Sequence, residues 1–549
     1  MNKKFKFIIA IIIIGLIGFK FPQDDRYFLI VKNLDIFATL YKEVNAYYVD
    51  EVNPNKIIRT GIDAMLGSLD PYTAYIPEDA IEDYRTYTTG EYAGIGAVVE
   101  ERNGRTTIIM PYEGYAAHKA GLKIGDEIHQ IDGVDLTGKS QEDVANLLKG
   151  QSQSEVTLTI KRYGKPKHFD VKLQHEKVKI NSVPYFGIVK DDIGYIRLSE
   201  FTTKAGNKVG EALRALKDRG AAKIILDLRN NPGGLLEEAI NVSNIFIPKG
   251  LEVVSTKGKR SKWTKTYNSL NNPVDTDIPL VVLINHSSAS ASEIVAGVVQ
   301  DYDRGILIGR KSFGKGLVQQ TRPLVYNSQL KVTTAKYYIP SGRCIQSIDY
   351  GNRNESGGVG KIPDSLKVAF KTLGGRVVFD GGGVKPDIDV ENFLLSDISH
   401  SLLKNDLIFN YVTEYVFKNG DRFENTRDFK FKDEEYQQFI DWLSDKEYEY
   451  YTPMEVAVDR LTEVALKSNQ GDEIINQIKE LEKTTSKDKN RDLMDHKKEI
   501  SALIERDIAG RYMLIKGLIE SSFGKDRDIL AAAKILNDQE AYQNILGTN

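Results

Sequence analysis

The chain has 549 residues, more than one hydrophobic core usually serves, so several domains are expected. With 41% hydrophobic and 28% charged residues and a formal net charge of -3, it has the make-up of soluble globular protein and no general attraction to nucleic acid or anionic lipid. A single cysteine, Cys344, excludes an intrachain disulfide and a thiolate cluster, and the 7 histidines are scattered without metal-ligand spacing, so neither metal nor other cofactor is expected.

Lys3, Lys4 and Lys6 precede an apolar run from Phe7 to Phe19, and Lys20 follows it. Such a run suits the core of an export signal and falls short of the ~20 residues that span a bilayer comfortably. Residues 1–22 therefore read as a signal peptide or a membrane anchor, with cleavage and retention both open. Positive charge before the run places the N-terminus inside and the remaining chain outside. The expected location is the cell envelope, on the periplasmic or extracytoplasmic side, free or anchored in the inner membrane.

Residues 26–90 read as helical, with Leu29, Val31, Leu34, Phe37 and Leu40 recurring at roughly helical spacing. Pro71 then pushes Asp70 out of helical geometry, marking a turn at Ser68–Pro71. Residues 91–178 change to short β-like runs such as Ala97–Val99, Thr107–Ile109, Val156–Ile160 and Phe169–Val171. Between them lies a helix expected over Gln141–Leu148, capped by Ser140. Gly94-Ile95-Gly96-Ala97 and the stretch from Ala120 to Gly133 together resemble a PDZ domain. In that resemblance Gly94–Ala97 form the carboxylate-binding loop, where backbone N–H groups converge on an anion beside a strand edge that accepts an extended peptide.

Residues 180–390 alternate strands with helices. The near-continuous apolar runs Tyr195–Leu198, Lys223–Leu228 and Leu280–Ile284 predict strands covered on both faces, in an α/β arrangement. Residues 391–549 are charged and helix-rich and read as a C-terminal accessory domain. Thr452-Pro453-Met454-Glu455 is a capping box with proline at the first helical position. The stripe Met454, Val458, Leu461 and Ala465, and a second of Ile474, Ile478 and Leu481, are expected to face a core.

Chemistry concentrates in three stretches. After the strand Leu280–Ile284 comes a run of small residues, Asn285 to Gly297, in which Ser288 reads as a helix cap with Glu293 in the first turn. A serine at such a bend gains the positive end of the helix and the N–H of the next residue; taken alone, the run reads first as a serine-rich cap. The second stretch, Gly309 to Gln319, places Lys315 between two glycines, close to packed backbone. For that amine to act as a base near neutral pH its pKa must fall from about 10.4 towards 7, some 4–5 kcal/mol of environment favouring the neutral form. Gly309-x4-Gly314-Lys315 also has P-loop spacing, but Gly316 stands where Ser or Thr must hold magnesium, and Leu317-Val318-Gln319 reads as strand, which excludes nucleotide binding. The third stretch, Leu226 to Leu235, runs a strand into a Pro-Gly-Gly turn that can aim N–H groups at a developing oxyanion.

Together "NHSSASASEIVAG" (Asn285 to Gly297), "SFGKGLVQ" (Ser312 to Gln319) and "DLRNNPGG" (Asp227 to Gly234) closely resemble the carboxyl-terminal processing peptidases, the S41 family with a Ser–Lys dyad. The resemblance covers residues 30–390. It implies a multidomain α/β protein, a PDZ domain plus an α/β S41 peptidase core with helical N- and C-terminal regions. It also implies Ser290 as nucleophile, Lys315 as general base and Gln319 as the residue that positions it. Ala291 and Gly233 would supply the oxyanion hole. Arg162 resembles a basic residue that couples PDZ position to the catalytic site in some members. His286 lies too close to Ser290 along a tight turn to serve a Ser–His pair.

The expected activity is that of a serine endopeptidase acting on exported proteins from their C-termini through an acyl-enzyme, with the PDZ domain capturing the substrate C-terminus. Expected partners are proteins or peptides with free C-termini, and a second copy through the C-terminal helices. A non-catalytic PDZ scaffold is the alternative, and the set Ser290, Lys315 and Gln319 argues against it.

Overall fold

The computed structural model describes residues 25–353, 358–392, 394–420, 427, 429–468, 471–485 and 489–547. The N-terminal apolar run lies outside these residues. Among those described, no helix is long and apolar enough to cross a membrane.

The chain divides into two units. The first, the chain up to Tyr75 together with Leu330–Val332, holds helices α1 (Asp25–Tyr47) and α2 (Pro54–Gly67). Asn53 caps α2 by accepting the Lys56 amide at 3.1 Å, with Pro54 in its first turn. The turn expected at Asp70-Pro71 is present, its Asp70 Oδ1 accepting the amides of Tyr72 and Thr73 at 2.8 Å each. The sequence extends this helical region to residue 90, but the helix Ile81–Thr89 belongs to the second unit. Its Tyr84 hydroxyl is hydrogen-bonded to Thr321 at 2.7 Å.

In the second unit, residues 97–174 form a small sheet of β1 (Ala97–Arg102), β2 (Arg105–Pro111), β3 (Glu127–Ile131), β4 (Glu155–Lys161) and β5 (Phe169–Gln174), in that spatial order. Helix α3 (Gln141–Leu148) is capped by Ser140, whose Oγ accepts the Asp143 amide at 3.2 Å, as the sequence leads one to expect. Ile108, Ile128, Leu158, Ile160 and Val144 close the core beneath it. Strand β1 lies at the sheet edge, so its outer backbone groups are available to an added strand.

The central sheet follows the order β6 (Tyr185–Lys190), β7 (Ile193–Arg197), β8 (Lys223–Asp227), β11 (Leu280–Ile284), β12 (Ile306–Gly309), β15 (Ile388–Asp389). It is parallel except for β6. Two further strands, β9 (Glu252–Gly258) and β10 (Lys265–Asn268), lie with β13 (Leu317–Pro323) and β14 (Gln329–Tyr338) in a second sheet. The two-sided apolar strands explain the architecture. Leu280, Val282 and Ile284 point into a core with helices α4 (Ala205–Asp218), α5 (Leu236–Phe246) and α6 (Ala291–Asp301). Val281 and Leu283 point the other way, onto Ile529, Ala532, Leu536 and Tyr542.

Those last residues belong to α13 (Arg527–Asn537) and α14 (Gln539–Leu546), so the far C-terminus covers one whole face of the central sheet. The sequence assigns 391–549 to a single accessory domain. Part of that segment instead packs on the central sheet, where α13 and α14, with Ile519 and Phe523, form the helical layer over its second face. The remaining helices have their own core: α7 (Asp397–Lys404), α8 (Leu407–Asn419), α9 (Asp433–Leu443) and α12 (Lys497–Glu520) around Tyr436, Phe439, Ile504 and Ile508. Helix α12 breaks at Met513–Leu514, where Leu514 adopts φ 51, ψ -137. In the hairpin of α10 (Pro453–Lys467) and α11 (Asp472–Thr485), Val458, Ala465 and Ile478 are buried, but Met454, Leu461, Ile474 and Leu481 of the expected core stripes are exposed. Two helices packed mainly on each other have one buried seam, which cannot cover wider stripes.

Candidate active site

Strands β8 and β11 are parallel neighbours, with Asp227 opposite Leu283, and the loops leaving their C-terminal ends interlock. The Asn230 amide donates to Asn285 Oδ1 at 3.0 Å, and Asn285 Nδ2 returns a bond to Asn230 Oδ1 at 2.8 Å. The Asn231 carbonyl accepts the Ala289 amide at 3.0 Å and the Ser292 hydroxyl at 2.9 Å. Two loops that are remote in sequence are thereby fixed as one surface at the edge of the sheet where the strands end.

Ser290 sits where the second loop enters α6. Its backbone is at φ 56, ψ -112, a region that non-glycine residues occupy only when neighbours over-determine it. The expectation that Ser288 caps this helix is corrected: the helix starts at Ala291 with Ser290 in the cap position. Ser288 is fully buried, donating to the Leu228 carbonyl at 2.8 Å and accepting the Asn285 amide at 2.9 Å. With the Ser292 hydroxyl also committed, both neighbouring serines serve the bend, whereas Ser290 is only half-buried. Gly233 lies directly against this bend. A Cβ there would lie 2.9 Å from Ser290 Cβ and 2.9 Å from the Ala291 nitrogen, and its φ of 99 also favours glycine.

The Lys315 loop meets the same bend through Glu293. This carboxylate, fully buried, accepts the Ser290 amide at 2.8 Å, the Lys315 amide at 2.9 Å, the Gly314 amide at 2.7 Å and the Ser312 hydroxyl at 2.5 Å. Burial pushes its pKa up to about 7, against the pull of those four donors. Tyr337, on β14 and almost fully buried, donates its hydroxyl to the Lys315 carbonyl and towards the Ser290 carbonyl at 3.2 Å. The Phe313 amide adds a bond to the Ser288 carbonyl at 3.0 Å. Beyond Lys315, a Cβ at Gly316 would lie 2.8 Å from the Gln346 nitrogen, and the Gly316 amide donates to Gln346 Oε1 at 2.7 Å. Lys315 is half-buried.

Beneath the first loop lies a charged cluster. Asp227 is fully buried and accepts from the Tyr195 hydroxyl at 2.7 Å, the Arg229 amide at 2.8 Å and the Arg197 guanidinium at 2.8 Å. Burial opposes its charge, yet Arg229 and Arg197 hold its carboxyl well below the usual carboxylate range.

The remaining expected residues fall in several places. The Gly233 N–H donates to Asn231 Oδ1 at 2.9 Å. Gln319 Nε2 donates to Thr333 Oγ1 at 3.2 Å, between β13 and β14. Arg162 grips Asp126 through Nε and Nη2 at 2.6 Å each and the Gly121 carbonyl at 2.8 Å, all within its own small-sheet domain. The stretch Gly94–Ala97 runs into edge strand β1, which begins at Ala97, and Gly94 pairs with Lys149 just past α3. His286 is exposed. Sequence reasoning missed Tyr337 and the clamping role of Glu293, although the Ser290-x-x-Glu293 spacing is itself a capping-box signal. A cavity of about 1900 Å³ is lined mostly by residues 495–528 of the C-terminal helices, together with Tyr112, Tyr115, Arg229, Asn230, Asn285 and Arg310; Ser290 and Lys315 are not in its lining.

A serine on a strained strand-to-helix bend, a glycine turn pressed against it and a lysine loop clamped to the same helix, beside a peptide-binding type of sheet, define a serine-type peptidase with a PDZ domain. The family model for peptidase family S41 matches residues 192–351, that for a PDZ domain residues 108–162, and that for the probable PDZ-protease C-terminal helical domain residues 398–536. A carboxy-terminal-processing protease of Bartonella bacilliformis is 39% identical over 58% of this chain and 73% of its own length. A probable CtpA-like serine protease of Staphylococcus aureus is 38% identical over 57% of this chain and 62% of its own length. Among solved structures, a photosystem II D1 C-terminal processing protease is 27% identical, over 65% of this chain and 92% of that one, with a TM-score of 0.35. The chain belongs to the carboxy-terminal-processing proteases of peptidase family S41.

Proposed function

We propose that Ser290 is the nucleophile and Lys315 the general base of peptide hydrolysis through an acyl-enzyme. The neutral Lys315 amine takes the Ser290 hydroxyl proton as Oγ attacks the scissile carbonyl. It then returns that proton to the leaving amine, and water releases the acyl group by the same route. Ala291 N–H and the Gly233 turn stabilise the oxyanion. Because the Gly233 N–H donates to Asn231 Oδ1, its use as a donor requires Asn231 to share or release it. Gln319, on the strand that follows the loop, positions Lys315, and Arg162 couples the position of the PDZ domain to the catalytic site. The observation that carries this reading is the shared Glu293 carboxylate, which holds the Ser290 and Lys315 amides together.

The substrates are exported proteins with free C-termini. Their last residues add to the edge of β1 below the Gly94–Ala97 loop. The N-terminal run exports the chain to the periplasmic or extracytoplasmic side, cleaved there or kept as an anchor. The exposed Val456, Leu461 and Val464 of α10 offer an apolar surface for a homodimer. Ser290→Ala and Lys315→Ala should each abolish hydrolysis of peptides by purified protein. Full activity in either variant refutes the assignment.

A further inference from the structure

Arg229 leaves β8 two residues after Asp227, and its guanidinium lies between that strand's carboxylate and those at the start of α13. On one side it bonds Asp227, with Nη2 to Oδ2 at 2.6 Å. On the other, Nη1 reaches both oxygens of Asp526 at 2.9 and 2.8 Å and Asp528 Oδ2 at 2.8 Å. Asp526 caps α13 and is oriented by the amides of Asp528 at 3.0 Å and Ile529 at 3.1 Å. Asp528 also takes Arg310 at 3.2 Å, and Arg310 is the first residue past β12, five before Lys315. Three carboxylates, Asp227, Asp526 and Asp528, thus balance three guanidiniums, Arg197, Arg229 and Arg310.

We propose that Asp526 and Asp528, in the C-terminal segment, are positioning residues for the catalytic loops, acting through Arg229 and Arg310. The path is short. Arg229 is followed directly by Asn230, whose backbone has a φ of 59 and whose side chain pairs with Asn285 at the start of the Ser290 bend. Asn231 comes next, holding Ala289, Ser292 and Gly233. A guanidinium pulled from one side only, by Asp227, has no reason to keep this turn in place. Removing one partner of a buried charged set leaves the others uncompensated, and the loop nearest them moves to regain solvent or a new partner. Residues in the last thirty of the chain therefore set the geometry of a site built from residues 227–315.

The inference rests on the proposed Ser290–Lys315 site, and the test separates the two. The double variant Asp526→Asn, Asp528→Asn is compared with Asp528→Glu, using active-site titration with a serine-reactive phosphonate to count competent sites. The expected result is a kcat per titrated site at least about tenfold lower, with KM within about twofold and partial recovery in Asp528→Glu. Phosphonate labelling should slow in parallel. An unchanged kcat per titrated site overturns the proposal, as does a loss confined to the number of folded molecules. If Ser290→Ala instead remains active, the site assignment itself fails, whatever the aspartates do.

Discussion

The Lys315 amide donates to the same Glu293 carboxylate that accepts the Ser290 amide, at 2.9 and 2.8 Å. A bend and a loop that are 25 residues apart are thereby tied at their backbones. Glu293→Gln would turn an NH2 group towards amide donors, leaving at least one of them unpaired in a dry interior, which costs about 1–3 kcal/mol. The expected outcome is a kcat at least about tenfold lower with KM little changed, read from steady-state hydrolysis of a peptide.

The same carboxyl makes a pH prediction. With its folded pKa pushed up to about 7 from the ordinary 4.5, Glu293 keeps its proton in the folded chain over a range where the unfolded chain has lost it. Folded-state proton binding then exceeds unfolded, so the group's contribution to stability falls as pH rises from about 4.5 to about 7 and is level above that. Melting curves of the wild type and Glu293→Gln across that range should show the wild type losing ground to the variant. A difference that does not vary with pH speaks against it.

Tyr337 joins the two loops from β14 through the carbonyls of Ser290 and Lys315. Tyr337→Phe keeps the ring packing and removes the hydroxyl, so a loss of about 1–2 kcal/mol is expected, falling on kcat, about tenfold, rather than on KM. A KM effect with unchanged kcat would point to a role in substrate contact instead.

Arg511, in α12 two residues before the break, donates to the Ile124 carbonyl of the PDZ domain at 2.7 Å and to the Phe409 carbonyl of α8 at 3.0 Å. Burial lowers its pKa despite the neighbouring Asp507. Arg511→Met retains the apolar stem and frees both carbonyls. Hydrogen exchange should accelerate at residues 121–126 while the central sheet stays protected; uniform exchange in both would refute a local tether.

Ile529 is buried against the central sheet, and Ile529→Ala should cost about 2–5 kcal/mol, visible as a lower melting temperature of the peptidase core. A change confined to the α7–α9 helices would contradict the placement of α13 on the sheet.

Much of this was legible in local sequence, and the exceptions share one physical cause. The apolar runs at Lys223–Leu228 and Leu280–Ile284 announced strands covered on both sides, and Ser140 and Thr452 announced their helices. The covering layer was not legible, because Ile529, Ala532 and Leu536 have the spacing of any amphipathic helix and nothing in it names a sheet that lies far earlier in the chain. Ser288 and Ser290 have equal capping propensity; the choice was made by Leu228 and Asn231, which lie on another strand end. Arg229 likewise meets Asp526 only through the fold. Met454 and Leu461 are exposed on a stripe whose spacing predicts a core face, because periodicity reports a face but not what covers it.

The most direct test of the Ser290–Lys315 assignment is intact-mass and peptide-level analysis after reaction with a serine-reactive phosphonate. One adduct on Ser290 is expected in the wild type, absent in Ser290→Ala and slowed at least about a hundredfold in Lys315→Ala. An adduct on another residue, or an undiminished labelling rate without Lys315, would contradict it.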